Sequence, residues 1–391
     1  MLDFTYYAPT EVVFGREAES QVARLVRKYG GRRILVHYGG GSAERSGLLG
    51  KVCELLEAEG IEYIKLGGVV PNPRLSLVHE GIGLCRANNI DLILAIGGGS
   101  AIDSSKAIAY GVPYEGDVWD FFEGKATVAK ALPVGCVVTN PASGSEMSDS
   151  CVISNEATRD KRGVSTPLGR CKFAVSNPER TFTLPAWQTA AGVTDIMMHT
   201  MERYFSNDMD MAMTEALAEA LLRTLLEAAP RALANPTDYQ ARAQIMWGGS
   251  LAHNGLTECG MQRDWACHKM EHELSAMFDV THGAGLSALW PTWARYVYRS
   301  NVERFVRFAV NVLGVEAGEP EPTALAGIAA MESFYKSIGM PVTIGELLGR
   351  PLTDAEVAEM ARRCSHDGAI TVGNLRVLDR SAIEEIYKLA R

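Results

Sequence analysis

Short runs of β-branched and aliphatic residues recur along the first half of the chain, and the stretches between them repeat apolar residues at helical spacing. The runs predict strands, and the stretches Leu48 to Ala58 and Leu75 to Asn88 predict helices. The predicted strands are Arg33 to Tyr38, Gly60 to Ile64, Asp91 to Ile96 and Pro133 to Val138. Strands and helices that alternate in this way indicate a Rossmann-like parallel sheet with helices packed on it.

The pattern changes beyond Leu184-Pro185, where β-branched runs almost disappear and long helical periodicity continues to Arg391. Four stretches show it best: Met209 to Ala229, Asp238 to Leu251, Asn301 to Leu313 and Ser381 to Leu389. We therefore expect an α/β N-terminal domain over residues 1–185, followed by an all-α C-terminal domain over residues 186–391.

Composition and charge exclude several classes of protein. With 47% hydrophobic and 22% charged residues in 391, the chain has the balance of a soluble globular protein. Its net charge of −9 leaves no excess of positive charge for nucleic acid or anionic lipid, so we expect neither as a partner. The sequence shows no targeting segment and no C-x-x-C pair. Its apolar runs are much shorter than the about 18 residues that a membrane span needs. We expect a cytoplasmic protein with buried, unpaired cysteines.

Two clusters of glycines follow predicted strands. They are Gly39-Gly40-Gly41-Ser42 and Gly97-Gly98-Gly99-Ser100, and the second runs directly into a helical pattern. Glycines let backbone N–H groups approach a pyrophosphate, and a helix N-terminus adds about half a positive charge. A single cluster is commonly an ordinary turn, but two in one α/β domain predict a dinucleotide site.

The end of the first glycine-linked strand bears on the choice of coenzyme. In such sheets an acidic residue near this position usually binds the ribose 2′-hydroxyl of NAD, and its absence leaves room for the 2′-phosphate of NADP. Here Tyr38 leads directly into glycine, and Ser42 offers a hydroxyl. We expect NADP(H), although Glu44 is an acidic residue close enough to reverse this preference.

Histidines concentrate in one part of the second domain. Five of the eight lie between residues 199 and 282. Asp195 and His199 are four residues apart on a helical pattern, as are His268 and His272, and His282 follows. Three imidazoles and one carboxylate suit a single divalent ion such as iron, zinc, nickel or manganese, and the spacing leaves one histidine over. The isolated histidines, interpreted as structural, are His37, His79, His253 and His366.

At these residues the chain resembles the iron-containing alcohol dehydrogenase family, in its branch of NADPH-dependent butanol dehydrogenases and aldehyde reductases. The resemblance covers essentially the whole chain. Its motifs are Phe14-Gly15, Tyr38 to Ser42, Gly97 to Lys106, Pro141 to Glu146, Gly192 to His199, Asp264 to His268 and His282-Gly283. It implies the fold shared by dehydroquinate synthase and iron-containing alcohol dehydrogenases. It also implies a homodimer, with Phe4 to Tyr7 as a candidate edge segment.

The resemblance also implies roles for single residues. The family's metal ligands match Asp195, His199, His268 and His282, with iron (Fe²⁺) as the usual ion and Zn²⁺ or Ni²⁺ as alternatives. His272 matches a position near the nicotinamide and substrate, where we expect it to relay a proton. Further coenzyme contacts match Asp103, Thr139, Ser143 and Lys161. Two departures are Ser143 and Cys267, each standing where this branch often has threonine.

The expected reaction is hydride transfer between NADP(H) and a small primary alcohol or aldehyde, working as an aldehyde reductase. A metal- and NAD-dependent lyase of the dehydroquinate synthase type is the alternative, and it would need a basic substrate pocket. The stretch from Met261 to Trp265 offers only Arg263, with Lys269 just beyond, while Trp265 and Met270 favour an apolar pocket. A non-enzymatic NADP-binding module or redox sensor is the third option.

Overall fold

The structure is a computed structural model that describes residues 1–208 and 210–391. The chain divides into two compact units, Tyr7–Thr183 and Leu184–Arg391, and the second also includes Met1–Tyr6. The division after Thr183 falls two residues before the predicted boundary. The first six residues, expected in the α/β domain, belong to the helical unit instead, where the Leu2 N–H donates to the Gly260 carbonyl at 3.0 Å.

A six-stranded sheet is the centre of the α/β unit, with neighbours in the order β1-β8-β5-β4-β2-β3 and every pairing parallel. A separate antiparallel hairpin pairs β6 with β7. The strands of the described residues are β1 Glu11–Phe14, β2 Arg33–Gly39, β3 Glu62–Val69, β4 Leu92–Gly98, β5 Val134–Asn140, β6 Ser150–Asn155, β7 Asp160–Ser165 and β8 Phe173–Ser176.

Helices surround this sheet. The α-helices are α1 Val22–Lys28, α2 Ser42–Arg45, α3 Leu48–Ala58, α4 Leu75–Ala87, α5 Gly99–Gly111 and α6 Trp119–Phe122. Short 3₁₀ helices lie at Ala18–Gln21, Pro167–Gly169 and Pro178–Thr181. Central strand residues such as Val36 and Leu94 are completely buried, because parallel strands covered on both faces are continuously apolar. The four predicted strands and two predicted helices are all present, as β2 to β5, α3 and α4.

The prediction that Phe4 to Tyr7 form an edge strand is wrong for this chain. It has no regular secondary structure, and the sheet ends on that side at β1. Its aromatic side chains, Phe4, Tyr6 and Tyr7, are all exposed, so they lack the alternation between buried and exposed positions that marks a half-buried strand.

The second unit is mainly helical in its described residues. Its α-helices are α7 Ala186–Tyr204, α8 Ala212–Ala234, α9 Tyr239–Ala252, α10 Ala266–Phe278, α11 His282–Val297, α12 Val302–Asn311, α13 Pro320–Ser337, α14 Ile344–Leu348, α15 Asp354–Cys364 and α16 Arg380–Ala390. Two 3₁₀ helices lie at Leu256–Glu258 and Tyr298–Ser300. The four predicted helices are α8, α9, α12 and α16, and Met209, the predicted start of the first, lies outside the described residues.

Helix α7 forms the centre of this unit. Every residue from Thr189 to Tyr204 is buried, so this helix is covered on all sides by its neighbours. All eight cysteines are free thiols, seven of them buried and Cys259 half-buried. None of the described helices is long and apolar enough to cross a membrane.

Candidate metal centre and coenzyme loops

The central helix α7 carries three polar residues on one buried face. Asp195, His199 and Glu202 stand at positions i, i+4 and i+7, which the helical repeat brings to the same side. Their exposures are 4%, 4% and 1%. Helix α10 contributes His268 to the same place, and α11 begins with His282. Three helices of one unit therefore meet at this cluster.

One carboxylate oxygen lies at the centre of the cluster. Asp195 Oδ1 is 3.5 Å from His199 Nδ1, 3.8 Å from His268 Nε2 and 3.7 Å from His282 Nε2. The ligating atoms of Asp195, His268 and His282 all lie within 4.8 Å of one another. Donor atoms around a tetrahedral ion with bonds of about 2.1 Å are roughly 3.4 Å apart, so these separations are close to those of a bound site.

The donor atoms fit a divalent cation. Asp195 Oδ1, His199 Nδ1 and His268 Nε2 are buried and have no hydrogen-bond partner among the described residues. Buried polar atoms nearly always have partners, so three unsatisfied atoms that converge need an explanation. One cation would satisfy all three. Three imidazole nitrogens with one carboxylate suit iron, zinc or nickel. These are the four side chains that the family resemblance names, and their role as ligands stays a prediction.

Two glutamates that the sequence analysis missed support the imidazoles. His268 Nδ1 donates to Glu202 Oε2 at 2.5 Å, and His282 Nδ1 donates to Glu271 Oε2. A proton held on Nδ1 leaves the Nε2 lone pair free to ligate a metal. A signal was available, since Glu202 lies three residues after His199 and Glu271 three residues after His268, both at helical spacing.

The electrostatics of the cluster favour a cation. Burial lowers the pKa of His199 well below its usual value, and the positive charges of His253 and His268 lower it further. Burial also opposes protonation of His268, but the carboxylates of Glu202 and Asp195 outweigh that effect and raise its pKa to about 9. The acidic side chains therefore make this buried place attractive to positive charge.

Two further histidines border the cluster. His272, one turn after His268 on α10, is half-buried and has its ring 5.8 Å from that of His282. His253, interpreted from the sequence as structural, follows α9 and packs its ring 4.1 Å from that of His199. The sequence did not predict this contact, because a tertiary approach between two helices leaves no spacing signal.

In the α/β unit, the two glycine clusters lie at neighbouring strand ends. β2 and β4 are adjacent, and the chain leaves β2 toward β3 on one side and β4 toward β5 on the other. In open parallel sheets, ligands bind at the carboxyl ends of strands where the direction reverses in this way. Gly39 ends β2, and Gly40 and Gly41 connect it to Ser42 at the start of α2. Gly97 and Gly98 end β4, and Gly99 and Ser100 begin α5. The structure thus places both glycine clusters at the carboxyl ends of two adjacent strands, β2 and β4.

Close packing explains two of the glycines. Gly41 has φ +111°, a conformation that side chains strongly disfavour. A Cβ on Gly99 would lie 2.1 Å from Ser143 Oγ, so a glycine is needed for these loops to meet. Thr139, near the end of β5, and Ser143 just beyond it lie next to β4 at the same edge of the sheet.

Asp103, predicted to contact the coenzyme, is half-buried on α5 and bonds to other segments of the unit. Asp103 Oδ1 accepts a hydrogen bond from Ser145 Oγ at 2.5 Å, and Oδ2 accepts one from the Val152 N–H at 3.0 Å. Burial raises the pKa of Asp103, while the charges of Lys106 and Lys161 lower it. These bonds link α5 to the segments that follow β5, so Asp103 supports the second glycine loop from within the protein. Lys161 is buried on β7.

Comparison with known families matches both units. Residues 9–178 match the family described as iron-containing alcohol dehydrogenase, and residues 189–391 match the C-terminal domain of the Fe-containing alcohol dehydrogenase family. The chain is 42% identical over 391 residues to NADH-dependent butanol dehydrogenase A of Clostridium acetobutylicum, covering 99% of each protein. It is 31% identical to the NADPH-dependent aldehyde reductase YqhD of Escherichia coli, covering 100% of each.

Solved structures of the same family have the same fold as this chain. The crystal structure of NADH-dependent butanol dehydrogenase A from Thermotoga maritima has a TM-score of 0.96 at 38% identity, covering 100% of this chain and 99% of that one. The crystal structure of Escherichia coli YqhD has a TM-score of 0.94 at 31% identity, with the same coverage. The predicted fold class is confirmed, and the chain belongs to the iron-containing alcohol dehydrogenase family.

Proposed function

We propose that this protein is a metal-dependent NADP(H) oxidoreductase that interconverts primary alcohols and aldehydes and works as an aldehyde reductase. The observation that carries the proposal is the position of Asp195 Oδ1, which faces three imidazole nitrogens at 3.5 to 3.8 Å in a buried cluster. The names of the relatives, butanol dehydrogenase and aldehyde reductase, support small alcohols and aldehydes as substrates. We also propose a cytoplasmic homodimer.

Asp195, His199, His268 and His282 would hold the ion, which we propose to be Fe²⁺ in the cell, with Zn²⁺ or Ni²⁺ able to replace it. When bound, the ion would polarise the substrate's carbonyl oxygen as a Lewis acid, and the reduced nicotinamide would supply hydride. Only one of the four ligands is negatively charged. The ligand set therefore leaves net positive charge in place to stabilise the charge that develops on the substrate oxygen.

His272 is the proposed proton relay. The substrate oxygen must gain a proton as the aldehyde becomes an alcohol, and an unperturbed imidazole titrates near neutral pH. His272 is half-buried and lies beside His282, one turn from His268 on the same helix. It is outside the proposed ligand set, so it can exchange protons without loss of the ion.

The proposed preference for NADPH rests on the loop after β2. The Tyr38 hydroxyl donates to Glu44 Oε1 at 3.0 Å, so the acidic residue that could favour NAD(H) already has a hydrogen-bond partner. The guanidinium of Arg45 lies over the loop, with Nη1 2.8 Å from where a Cβ on Gly41 would stand. A positive group and the Ser42 hydroxyl suit a 2′-phosphate. The names of the relatives do not support this preference: butanol dehydrogenases at 39 to 42% identity are named NADH-dependent, and the aldehyde reductase at 31% identity is named NADPH-dependent.

The lyase alternative is not favoured. The matched families are alcohol dehydrogenases. Arg263, the cation in the stretch before the ligands, pairs with Glu258 at 3.6 Å, and Trp265 packs edge-on against His268 with ring centroids 4.7 Å apart. A paired arginine beside an indole ring suits an apolar substrate better than a phosphorylated, carboxylated sugar.

The test has two assays on the purified protein, alongside elemental analysis. One follows the oxidation of NADPH with butanal, and the other follows the release of inorganic phosphate from a phosphorylated sugar acid in the presence of NAD⁺. We expect turnover with butanal only, and about one divalent ion per chain. Turnover of the sugar acid would support the lyase instead. Absence of turnover with butanal in protein that carries its ion would refute the proposed activity.

A further inference from the structure

Two helices each supply a carboxylate that accepts a hydrogen bond from a histidine of another helix. Glu202 on α7 accepts from His268 on α10, and Glu271 on α10 accepts from His282 on α11. Both glutamates are almost fully buried, at 1% and 0% exposure. A buried carboxylate is costly unless it is well paired, so each contact must contribute something that an apolar residue in the same position could not.

Glu202 holds both the start of α10 and the ring of His268. Its Oε1 accepts from the Cys267 N–H at 2.6 Å. This N–H is one of those in the first turn of a helix that have no partner within the helix itself. Its Oε2 accepts from His268 Nδ1 at 2.5 Å. One side chain therefore fixes the first turn of the helix and the direction of the imidazole on that turn.

Glu271 is held in place by its surroundings. Ser275 Oγ donates to its Oε1, while His282 Nδ1 donates to its Oε2. Helix α11 approaches closely because it has glycines here. A Cβ on Gly285 would lie 2.8 Å from Glu271 Cγ and Oε1, and a Cβ on Gly283 would lie 2.0 Å from the Ala191 carbonyl oxygen of α7. The absence of these side chains lets the carboxylate reach His282.

We propose that Glu202 and Glu271 are positioning residues that set the affinity of the metal centre, an inference that rests on the proposed function. Each glutamate keeps the proton of its histidine partner on Nδ1 and directs Nε2 of that ring toward Asp195 Oδ1. Each also places a negative charge behind a neutral imidazole ligand. Without them, each imidazole could rotate or carry its proton on Nε2, and either change would remove a ligand. Partners of this kind typically contribute about 10- to 100-fold in metal affinity.

The first test uses Glu271→Gln, which keeps the shape of the side chain and removes its charge. The metal-free protein is titrated with Zn²⁺ against a chromophoric chelator. We expect the dissociation constant for Zn²⁺ to rise about 10- to 100-fold. The matched control is Glu219→Gln, since Glu219 is also buried in the helical unit but accepts from Tyr204, Arg307 and Asn311 and from no histidine. It should leave Zn²⁺ affinity unchanged.

A second variant displaces the same carboxylate without changing any charge. The Cβ that Gly285→Ala adds would clash with the Glu271 side chain, and we expect this variant also to weaken Zn²⁺ binding. Alanine favours a helix more than glycine does, so a weaker helix cannot explain that loss. Gly248→Ala on α9, where the added Cβ would meet only Leu225, is the control and should bind Zn²⁺ normally.

Glu202→Gln should also weaken the start of α10, so its effect on metal binding must be distinguished from its effect on folding stability. Thermal unfolding of the metal-free and Zn²⁺-loaded protein makes this distinction. A purely structural role would lower the Tm of metal-free and Zn²⁺-loaded protein equally. A positioning role must also reduce the rise in Tm that a fixed Zn²⁺ concentration produces. If the wild-type protein binds no Zn²⁺ or Fe²⁺, the proposed function is wrong. If it binds normally and the variants bind equally well, only the positioning role is wrong.

Discussion

Asp195 and His199 lie one turn apart on α7, with Oδ1 of the carboxylate 3.5 Å from Nδ1 of the imidazole. The helix backbone holds these two donors at a fixed separation. We predict that Asp195→Ala and His199→Ala each reduce bound metal to a small fraction of one ion per chain and abolish aldehyde reduction, because removing a protein ligand greatly weakens such a site. Elemental analysis and NADPH oxidation measure the two effects.

Asp238→Ala is the control for this pair. Asp238 caps α9, where its Oδ1 accepts from the Ala241 N–H at 3.0 Å. Its loss should cost about 1 kcal/mol of stability and leave the metal content unchanged. Metal retained at the wild-type level in Asp195→Ala would show that this carboxylate is not a ligand.

For His272 we predict a different outcome. His272→Gln should retain the full metal content and lower kcat by about 10²-fold, the lower end of what a positioned acid or base contributes. The control is His79→Gln, since His79 is exposed and pairs with Asp117 at 3.0 Å in the other unit. Unchanged kcat in His272→Gln would remove this residue from proton transfer, and loss of metal would make it a ligand instead.

Coenzyme choice should depend on Arg45. Its guanidinium overlies Gly41 in the loop after β2. We predict that Arg45→Ala lowers kcat/KM for NADPH about tenfold and barely changes it for NADH, because a charged hydrogen bond to the 2′-phosphate would be lost. Arg24→Ala, on α1 and paired with Glu11 at 3.9 Å, should change neither value. Equal losses with both coenzymes would mean that Arg45 does not recognise the 2′-phosphate.

The central strands and the metal ligands differ in how well the sequence predicts them. Strands such as β4 are buried on both faces, so their apolar runs are conspicuous. β8 has only four residues, and β7 is largely polar, so neither shows a clear pattern. Spacing along one helix pairs Asp195 with His199. It cannot bring in His282, which begins another helix and was assigned through the family resemblance. Helical spacing places Glu202 on the face of His199 and Glu271 on the face of His268. It does not predict their hydrogen bonds, which join different helices.

His37 is a buried histidine outside the metal cluster. It lies on β2, completely buried, with Nδ1 2.8 Å from the Leu66 carbonyl and Nε2 2.8 Å from Ser104 Oγ. A carbonyl only accepts, so Nδ1 carries the proton and Nε2 accepts from the serine hydroxyl. Burial lowers the pKa of His37 to about 4, and the bond to Leu66 offsets this only in part.

This lowered pKa predicts a pH dependence of folding stability. Between about pH 6.5 and pH 4 the unfolded chain binds a proton at His37 that the folded protein does not, so stability falls as the pH falls through this window. From pH 7 to pH 5 the loss should be about 2 kcal/mol. His37→Gln should remove that part of the pH dependence in urea unfolding, and His79→Gln, at an exposed site, should not. The same fall in stability in His37→Gln as in the wild-type protein would show that His37 titrates normally in the folded state.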